Sequence, residues 1–172
     1  ADPDAGDTLT YSVFYSHDGV DGVLLESGLT ATSYQVAVDS LAGGADARFR
    51  VVASDGVNIG DDETDFPINV PDKAPVALIL NPTNGAQVLP GDLLVLMGSG
   101  NDFEDGTLPG LSLAWSSDRQ GALGNGESLA TNTLQKGAHK ITLTVTDSHG
   151  QTATATADIF VGTQLYLPLV QR

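Results

Sequence analysis

Residues 140–161 read KITLTVTDSHGQTATATADIFV, and this stretch decides the fold. Its two halves, 140–146 and 152–161, alternate between apolar and polar side chains, which is the pattern of β-strands with one face turned to a core. Between them, residues 147–150 read DSHG, and these four residues carry most of the turn signal. The stretch therefore predicts two β-strands separated by a tight turn.

The same alternation recurs along the rest of the chain, whereas apolar residues at helical spacing are nearly absent. Turn signals rich in Gly, Asp and Asn separate the alternating segments. Many short strands separated by such turns predict an all-β fold, either a sandwich or a barrel. The further predicted strands lie at 8–16, 33–38, 47–53, 65–70, 76–80, 93–97 and 111–115.

An internal repeat divides the chain. Residues 2–19 parallel residues 102–121, and residues 41–56 parallel residues 134–150. Two tandem copies of one sandwich module explain both similarities, and the segment 71–75, with two prolines, suits a short linker between them. The predicted domains are 1–72 and 73–163, followed by an apolar tail at 164–172.

The first copy begins at its acidic cluster, whereas in the second copy residues 75–101 supply two strands before the cluster. A sandwich without those strands would leave core and sheet edges exposed. We therefore expect the first module to lack its N-terminal strands, which the parent protein or another chain supplies. The start at Ala1, without an initiator Met or a signal peptide, fits an interior or C-terminal piece of a longer precursor.

The charge of the chain limits its partners. Twenty-two acidic residues against seven basic ones give a net charge of −15. Such a surface repels phosphate backbones and anionic membranes, so nucleic-acid binding is not expected, and the natural counter-partners are cations. Cysteine is absent from the sequence, and the chain has no apolar run long enough to span a membrane. These features suit a bacterial secreted protein.

Two acidic clusters are candidate calcium sites, because Ca²⁺ takes six to eight oxygen ligands. The loop before strand C and the loop after strand F of a sandwich lie at the same end, so carboxylates distant in sequence can converge. The alternative is that these residues serve as turn formers. Site A comprises Asp2, Asp4, Asp7 and Asp55, and site B comprises Asn101, Asp102, Glu104, Asp105 and Asp147. A third acidic run, 61–63, is predicted to be a solvated loop.

The sequence contains no recognisable arrangement of catalytic residues. The three histidines, His17, His139 and His149, are interpreted as surface turn residues rather than members of a catalytic triad. No phosphate loop, zinc-protease motif or nucleotide fingerprint occurs. Tyr15 and Tyr34 are candidates for outward-facing aromatic contacts to carbohydrate or protein, against the alternative of half-buried sheet residues.

The second copy, with LSLAWSSD at 111–118 and GAHKITLTVTDSHG at 137–150, resembles the PKD and related immunoglobulin-like repeats of bacterial secreted proteins. The resemblance places Trp115 on strand C and His139 where strand F usually carries an aromatic residue. The first copy, through DPDAGDTLTYSVFYS at 2–16, is similar to the tail half of a fibronectin type III or cadherin-like module. The resemblance implies tandem immunoglobulin-like β-sandwich modules.

The expected function is that of a non-catalytic extracellular module for structure or adhesion, stabilised by Ca²⁺. Its expected partners are other domains of the parent protein, a cell-surface protein or carbohydrate, or further copies of itself. Two alternatives stay open: an accessory C-terminal module of a secreted protease or glycosidase, and a surface-layer or filament subunit completed by a neighbour's strands. The tail LYLPLVQR is compatible with a last strand, a docking peptide or a retention signal.

Overall fold

The computed structural model describes residues 8–20 and 22–163, and these are almost entirely β-strands joined by turns. The all-β prediction is confirmed. The chain divides into two compact units, 1–73 and 74–172, while the assignment of each as a tandem immunoglobulin-like module stays a prediction. None of the helices in the described part of the chain is long and apolar enough to cross a membrane.

The first unit contains one five-stranded sheet in the order β2-β1-β3-β4, with β5 also paired to β3. β1 is central because it pairs antiparallel with both β2 and β3. A short 3₁₀ helix, Val38–Ser40, lies between β2 and β3. The strands are β1 (Thr10–Ser16), β2 (Val23–Leu29), β3 (Gly44–Ser54), β4 (Ile59–Glu63) and β5 (Ile68–Val70).

The second unit is a two-layer sandwich. One sheet has the order β11-β10-β13-β14-β7, and the other has the order β12-β8-β6 with β9 paired to β8. A second 3₁₀ helix, Gly110–Ser112, leads into β10. The strands are β6 (Val76–Asn81), β7 (Ala86–Val88), β8 (Leu94–Asp102), β9 (Gly106–Thr107), β10 (Leu113–Ser117), β11 (Gly121–Asn125), β12 (Ser128–Thr131), β13 (Gly137–Thr146) and β14 (Thr152–Val161).

The core of the second unit lies between its two sheets. Trp115 on β10 packs with Leu143 on β13 and Leu96 on β8, and all three side chains are almost fully buried. Trp115 Nε1–H donates a hydrogen bond to the Gly126 carbonyl at 2.8 Å, so the polar end of the ring is also satisfied. The strands predicted at 140–146 and 152–161 are confirmed as β13 and β14, which pair along their whole length. Their side chains alternate between more and less buried positions.

The first unit has a smaller core. Among its described residues the buried cluster comprises Tyr15, Leu41, Ala47 and Val70. The Tyr15 ring lies 5.1 Å from the Phe49 ring, centroid to centroid, and its hydroxyl donates to the Ala42 carbonyl. Tyr15 is therefore a core residue of the sheet, which favours the alternative of a sheet residue over an outward-facing aromatic contact, whereas Tyr34 is 38% exposed.

Several predicted elements differ from the structure. Residues 33–37 form no strand, and of the predicted strand at 65–70 only Ile68–Val70 is one. The acidic run 61–63 is the end of β4 rather than a loop. Its carboxylates remain solvated because all five residues of β4 are exposed. Arg48 and Arg50 of β3 approach Glu63 and Asp61, at 3.8 and 3.7 Å.

Candidate functional site

Two loops of the second unit meet where site B was predicted. One connects β8 to β9 and the other connects β13 to β14. Asp105 joins them, since its Oδ2 accepts from the Ser148 backbone N–H at 2.8 Å and its Oδ1 accepts from the Ser148 hydroxyl at 2.8 Å. The bonded residues are 43 positions apart in sequence. The β8–β9 and β13–β14 loops are therefore fixed to each other by a bidentate contact.

This contact also affects the ionisation of Asp105. The Ser148 backbone N–H, followed by the Ser148 hydroxyl, holds the pKa of the Asp105 carboxyl below its ordinary value. Sequence reasoning missed Ser148 as a member of the site. The signal in the sequence was the position of Ser148. This residue carries a hydroxyl and directly follows Asp147, in a turn that faces a second acidic loop.

Asp102 ends β8 and organises the loop that follows. Its Oδ1 accepts hydrogen bonds from the backbone N–H groups of Glu104 and Asp105, at 2.9 and 2.8 Å. This is the turn role that short acidic side chains commonly perform. The side chain is unusual for such a turn because Asp102 is only 9% exposed.

Asp147 follows β13 and has the same role in the second loop. Its Oδ1 accepts from the backbone N–H groups of His149 and Gln151, at 2.9 and 2.8 Å. The Asp147 backbone N–H also donates to the Gln151 carbonyl at 3.1 Å, which closes the loop. Asp147 is 8% exposed.

Each of these two aspartates has one carboxylate oxygen left over. Oδ2 of Asp102 and Oδ2 of Asp147 are buried and find no hydrogen-bond donor in the described part of the protein. A buried carboxylate oxygen without a partner carries a desolvation penalty of about 1–3 kcal/mol, and more when the group is charged. Each of these oxygens therefore favours a cation or a water molecule that supplies the missing partner.

The remaining members of site B contribute less. Asn101 is exposed and its Oδ1 accepts from the Thr107 hydroxyl at 3.2 Å, and Glu104 is half-buried in the loop. Within residues 8–20 and 22–163, no three His, Cys, Asp or Glu side chains are grouped as a ready metal-binding cluster. Asp102 and Asp147 each have one carboxylate oxygen without a hydrogen-bond partner among the described residues, and a calcium ion there would need further oxygens from carbonyl groups or water.

Site A cannot be assembled in the same way. Asp2, Asp4 and Asp7 lie outside the described residues. Asp55 caps the turn after β3, where its Oδ1 accepts from the Val57 and Asn58 backbone N–H groups at 2.8 and 2.6 Å. Its Oδ2 accepts from the Asn58 side chain at 3.0 Å. These bonds, the Asn58 backbone N–H first, hold the pKa of Asp55 below its ordinary value.

The histidines are placed differently from one another. His17 is exposed. His139 is only 2% exposed, so its interpretation as a surface turn residue is wrong. Its Nε2 lies 2.6 Å from the Gln135 carbonyl oxygen and therefore carries the hydrogen. Its Nδ1 then accepts from the Ser117 hydroxyl at 2.8 Å. Ser117 is itself 3% exposed, so this serine–histidine pair is closed to a substrate and holds β10 against β13.

The described structure also holds an apolar surface outside the predicted acidic sites. An apolar groove of about 470 Å³ lies on the sheet of the first unit, between β1, β3 and the segment after β2. It is remote in sequence from the loops of site B. Its lining contains no charged side chain.

Comparison with known proteins gives similar structures but no family assignment. No family model matches the chain, and no curated protein matches it. It is similar to the fibronectin(III)-like modules of Clostridium thermocellum CbhA, with 16% identity and a TM-score of 0.47 over 92% of this chain and 81% of that one. It is also similar to the PKD1 domain of Vibrio anguillarum Epp, with 21% identity and a TM-score of 0.41 over 55% of this chain and 100% of that one. A third similar structure is the four N-terminal Ig domains of Dscam1 isoform 9.44, with 18% identity and a TM-score of 0.40 over 88% of this chain and 38% of that one.

Proposed function

We propose that this chain is a non-catalytic extracellular module with a structural or adhesive role, and that Ca²⁺ stabilises its second unit at the β8–β9 and β13–β14 loops. The observation that supports the calcium site is the pair of buried, unpartnered oxygens, Asp102 Oδ2 and Asp147 Oδ2. They belong to loops that the Asp105–Ser148 contact already holds together. Preorganised loops lose little conformational entropy when an ion binds.

The chemistry of the proposed site follows from charge. Asp102 and Asp147 place two carboxylates in a poorly solvated region, where an isolated negative charge is costly. A divalent cation would neutralise both carboxylates, and the Oδ1 atoms would continue to cap their turns. Asn101 and Glu104 offer further oxygen ligands from the same loop. The net charge of −15 raises the local concentration of cations around the chain.

Calcium binding would raise the free energy of unfolding of the second unit, because binding and folding are coupled. An ion that binds only the folded state stabilises it by about 2.7 kcal/mol when its free concentration is 100 times its Kd. For a unit of this size each 1 kcal/mol raises the Tm by roughly 4–8 °C. Ordered loops at the module end would then transmit force and resist bending, as a structural or adhesive module requires.

The test compares the Tm of the second unit's transition in EDTA and in millimolar Ca²⁺, for the natural chain and for Asp102→Asn and Asp147→Asn. Asparagine retains an oxygen to cap each turn and removes the charge of the buried carboxylate. We expect the natural chain to gain several degrees in Ca²⁺ and each variant to lose most of that gain. In EDTA the variants should be at least as stable as the natural chain, because a buried charge has been removed.

Asp92→Asn is the matched control, since Asp92 is an exposed aspartate of the same unit. It changes the net charge by the same amount and should keep the full rise in Tm. Equal rises in all four proteins would show that Ca²⁺ acts on general surface charge and would remove the case for this site.

A further inference from the structure

β6 is an edge strand of the second unit. It pairs with β8 on one side, and within residues 8–20 and 22–163 no strand pairs with its other side. The backbone N–H and C=O groups along an open edge readily form hydrogen bonds with another strand, so edge strands commonly carry charged side chains that prevent this. β4, at the edge of the first unit's sheet, reads IGDDE and has three carboxylates. β6 reads VALILN and has no charged side chain.

The side chains of β6 are apolar on both faces of the sheet. Ala77 and Ile79 pack against the core of the second unit. Val76, Leu78 and Leu80 alternate with them and are 67%, 53% and 56% exposed. A strand with one face in water normally alternates apolar and polar residues, whereas an apolar run is typical of strands that are covered on both faces. The sequence of β6 therefore suits a strand with more neighbours than the described part of this chain gives it.

The outer face of the sheet beside β6 is uncharged as well. Leu78 is opposite Ser99 of β8, and Met97 of β8 is opposite Ser128 of β12. The outward positions of these three strands carry no acidic or basic side chain, although the chain has a net charge of −15. At this face two copies of the acidic chain approach each other without placing carboxylates in contact.

We propose that β6 pairs antiparallel with β6 of a second copy of this chain, across a two-fold axis, so that the two β12-β8-β6 sheets continue into each other. A two-fold contact uses the same residues on both sides and requires a surface that is complementary to itself. β6 meets this requirement, because pairing it with itself places apolar side chains beside apolar side chains and adds main-chain hydrogen bonds across the edge. The contact uses no residue of the proposed calcium site.

The net charge of each copy sets how this contact responds to salt. Two chains with a charge of −15 repel each other, and salt screens that repulsion. A dimer joined through the uncharged β6 edge therefore becomes tighter as salt is added, whereas a contact between opposite charges becomes weaker. A single pair of strands also buries little area, so we expect a weak dimer that forms at high protein concentration.

The test measures sedimentation of the chain 1–172 over a range of protein concentrations, at low and at high salt. We expect a reversible monomer–dimer equilibrium whose Kd falls as salt is added. Leu78→Lys should raise the Kd about tenfold or more, because it places two like charges close to the axis. The side chain at this position is 53% exposed, so the lysine reaches water and the unit still folds.

Leu111→Lys is the matched control. Leu111 is 89% exposed and lies in the 3₁₀ helix ahead of β10, outside the β12-β8-β6 sheet. The substitution changes the net charge by the same amount as Leu78→Lys and should leave the Kd unchanged.

Amide hydrogen exchange, followed by mass spectrometry, locates the contact. Peptides that cover residues 76–80 should exchange more slowly at high than at low protein concentration, because the N–H groups at the open edge become hydrogen-bonded. β4, the charged edge strand of the first unit, should exchange at the same rate at both concentrations.

Three results would overturn the proposal. The first is a chain that stays monomeric at the highest concentration reached. The second is a dimer that Leu78→Lys leaves intact, which would place the contact on another surface, such as the groove of the first unit. The third is a dimer that weakens as salt is added, which would show that opposite charges hold it together.

Discussion

His139 illustrates how a single residue can depart from a sequence pattern and still suit its position. The His139 ring on β13 is 2% exposed. Because this ring has two polar nitrogens, it is bonded to the Ser117 hydroxyl and to the Gln135 carbonyl. The histidine therefore contributes both packing and a polar link between β10 and the start of β13.

We predict that His139→Phe destabilises the second unit by about 1–3 kcal/mol, although phenylalanine is the more apolar ring. The cause is the Ser117 hydroxyl, which stays buried and loses its acceptor. Urea unfolding followed by Trp115 fluorescence measures the change. Adding Ser117→Ala to His139→Phe should recover part of the loss, and a His139→Phe chain as stable as the natural one would contradict this account.

At the same scale, the sequence located Asp102 and Asp147 but not their surroundings. Their positions follow from the rule that short acidic residues form turns at strand ends. The burial of both side chains depends on how β8 and β13 pack, and the bond between Asp105 and Ser148 depends on contacts across 43 positions. Neither is visible in a local pattern.

Among the elements, β8 is distinguished by two glycines on its inner side. A Cβ on Gly98 would lie 2.6 Å from Leu143 Cδ2, and a Cβ on Gly100 would lie 2.5 Å from Val145 Cγ1. The backbone of β8 thus approaches the β13 side chains more closely than any larger residue would permit. This close approach brings the C-terminal end of β8, with Asp102, to the β13–β14 side of the sandwich.

Gly100→Ala should therefore destabilise the second unit by about 1–3 kcal/mol through overpacking. Val145 has no exposed surface and cannot move aside freely. Calorimetric Tm values measure the effect. Gly60→Ala on β4 is the control, because a Cβ there meets no atom within 4 Å, and it should be neutral. If the two variants behave alike, the packing argument for β8 fails.

Element prediction succeeded for the long alternating strands β13 and β14, and it missed strands without clear alternation, among them β2 (VLLESGL). β13 and β14 alternate clearly and were predicted. β4 reads IGDDE and was missed as a strand, because all five of its residues are exposed and it has no apolar alternation. β11 (GALGN) and β12 (SLAT) were missed because their small residues carry little hydrophobic signal. The predicted strand at 33–38 instead runs across the sheet face, where Val36 packs on the small core.

For the whole molecule, the two units differ in how much core they bury. The buried cluster of the second unit has eleven residues, and that of the first has four, counting the described residues. Since each fully buried aliphatic or aromatic side chain contributes about 1.5–3 kcal/mol, the first unit should be much less stable. The internal repeat in the sequence predicts two modules, the first of them incomplete, and this stays a prediction, whereas the location and lining of the apolar groove could be recognised only from the folded sheet.

We accordingly predict two unfolding transitions. Trp115 is the single tryptophan and lies in the core of the second unit, so its fluorescence reports that unit alone. Far-ultraviolet circular dichroism reports both units. The dichroism signal should begin to fall at a lower temperature than the shift in Trp115 emission. Coincident transitions by the two probes would mean that the units unfold together.

The measurement that tests the central proposal most directly is amide hydrogen exchange of the natural chain, in EDTA and in millimolar Ca²⁺, followed by mass spectrometry of its peptides. The account predicts slower exchange in Ca²⁺ for peptides that cover 101–106 and 147–151, where Asp102 and Asp147 hold the two loops, and unchanged exchange for β3. Identical exchange in both conditions, or a uniform change along the whole chain, would contradict a calcium site at these loops.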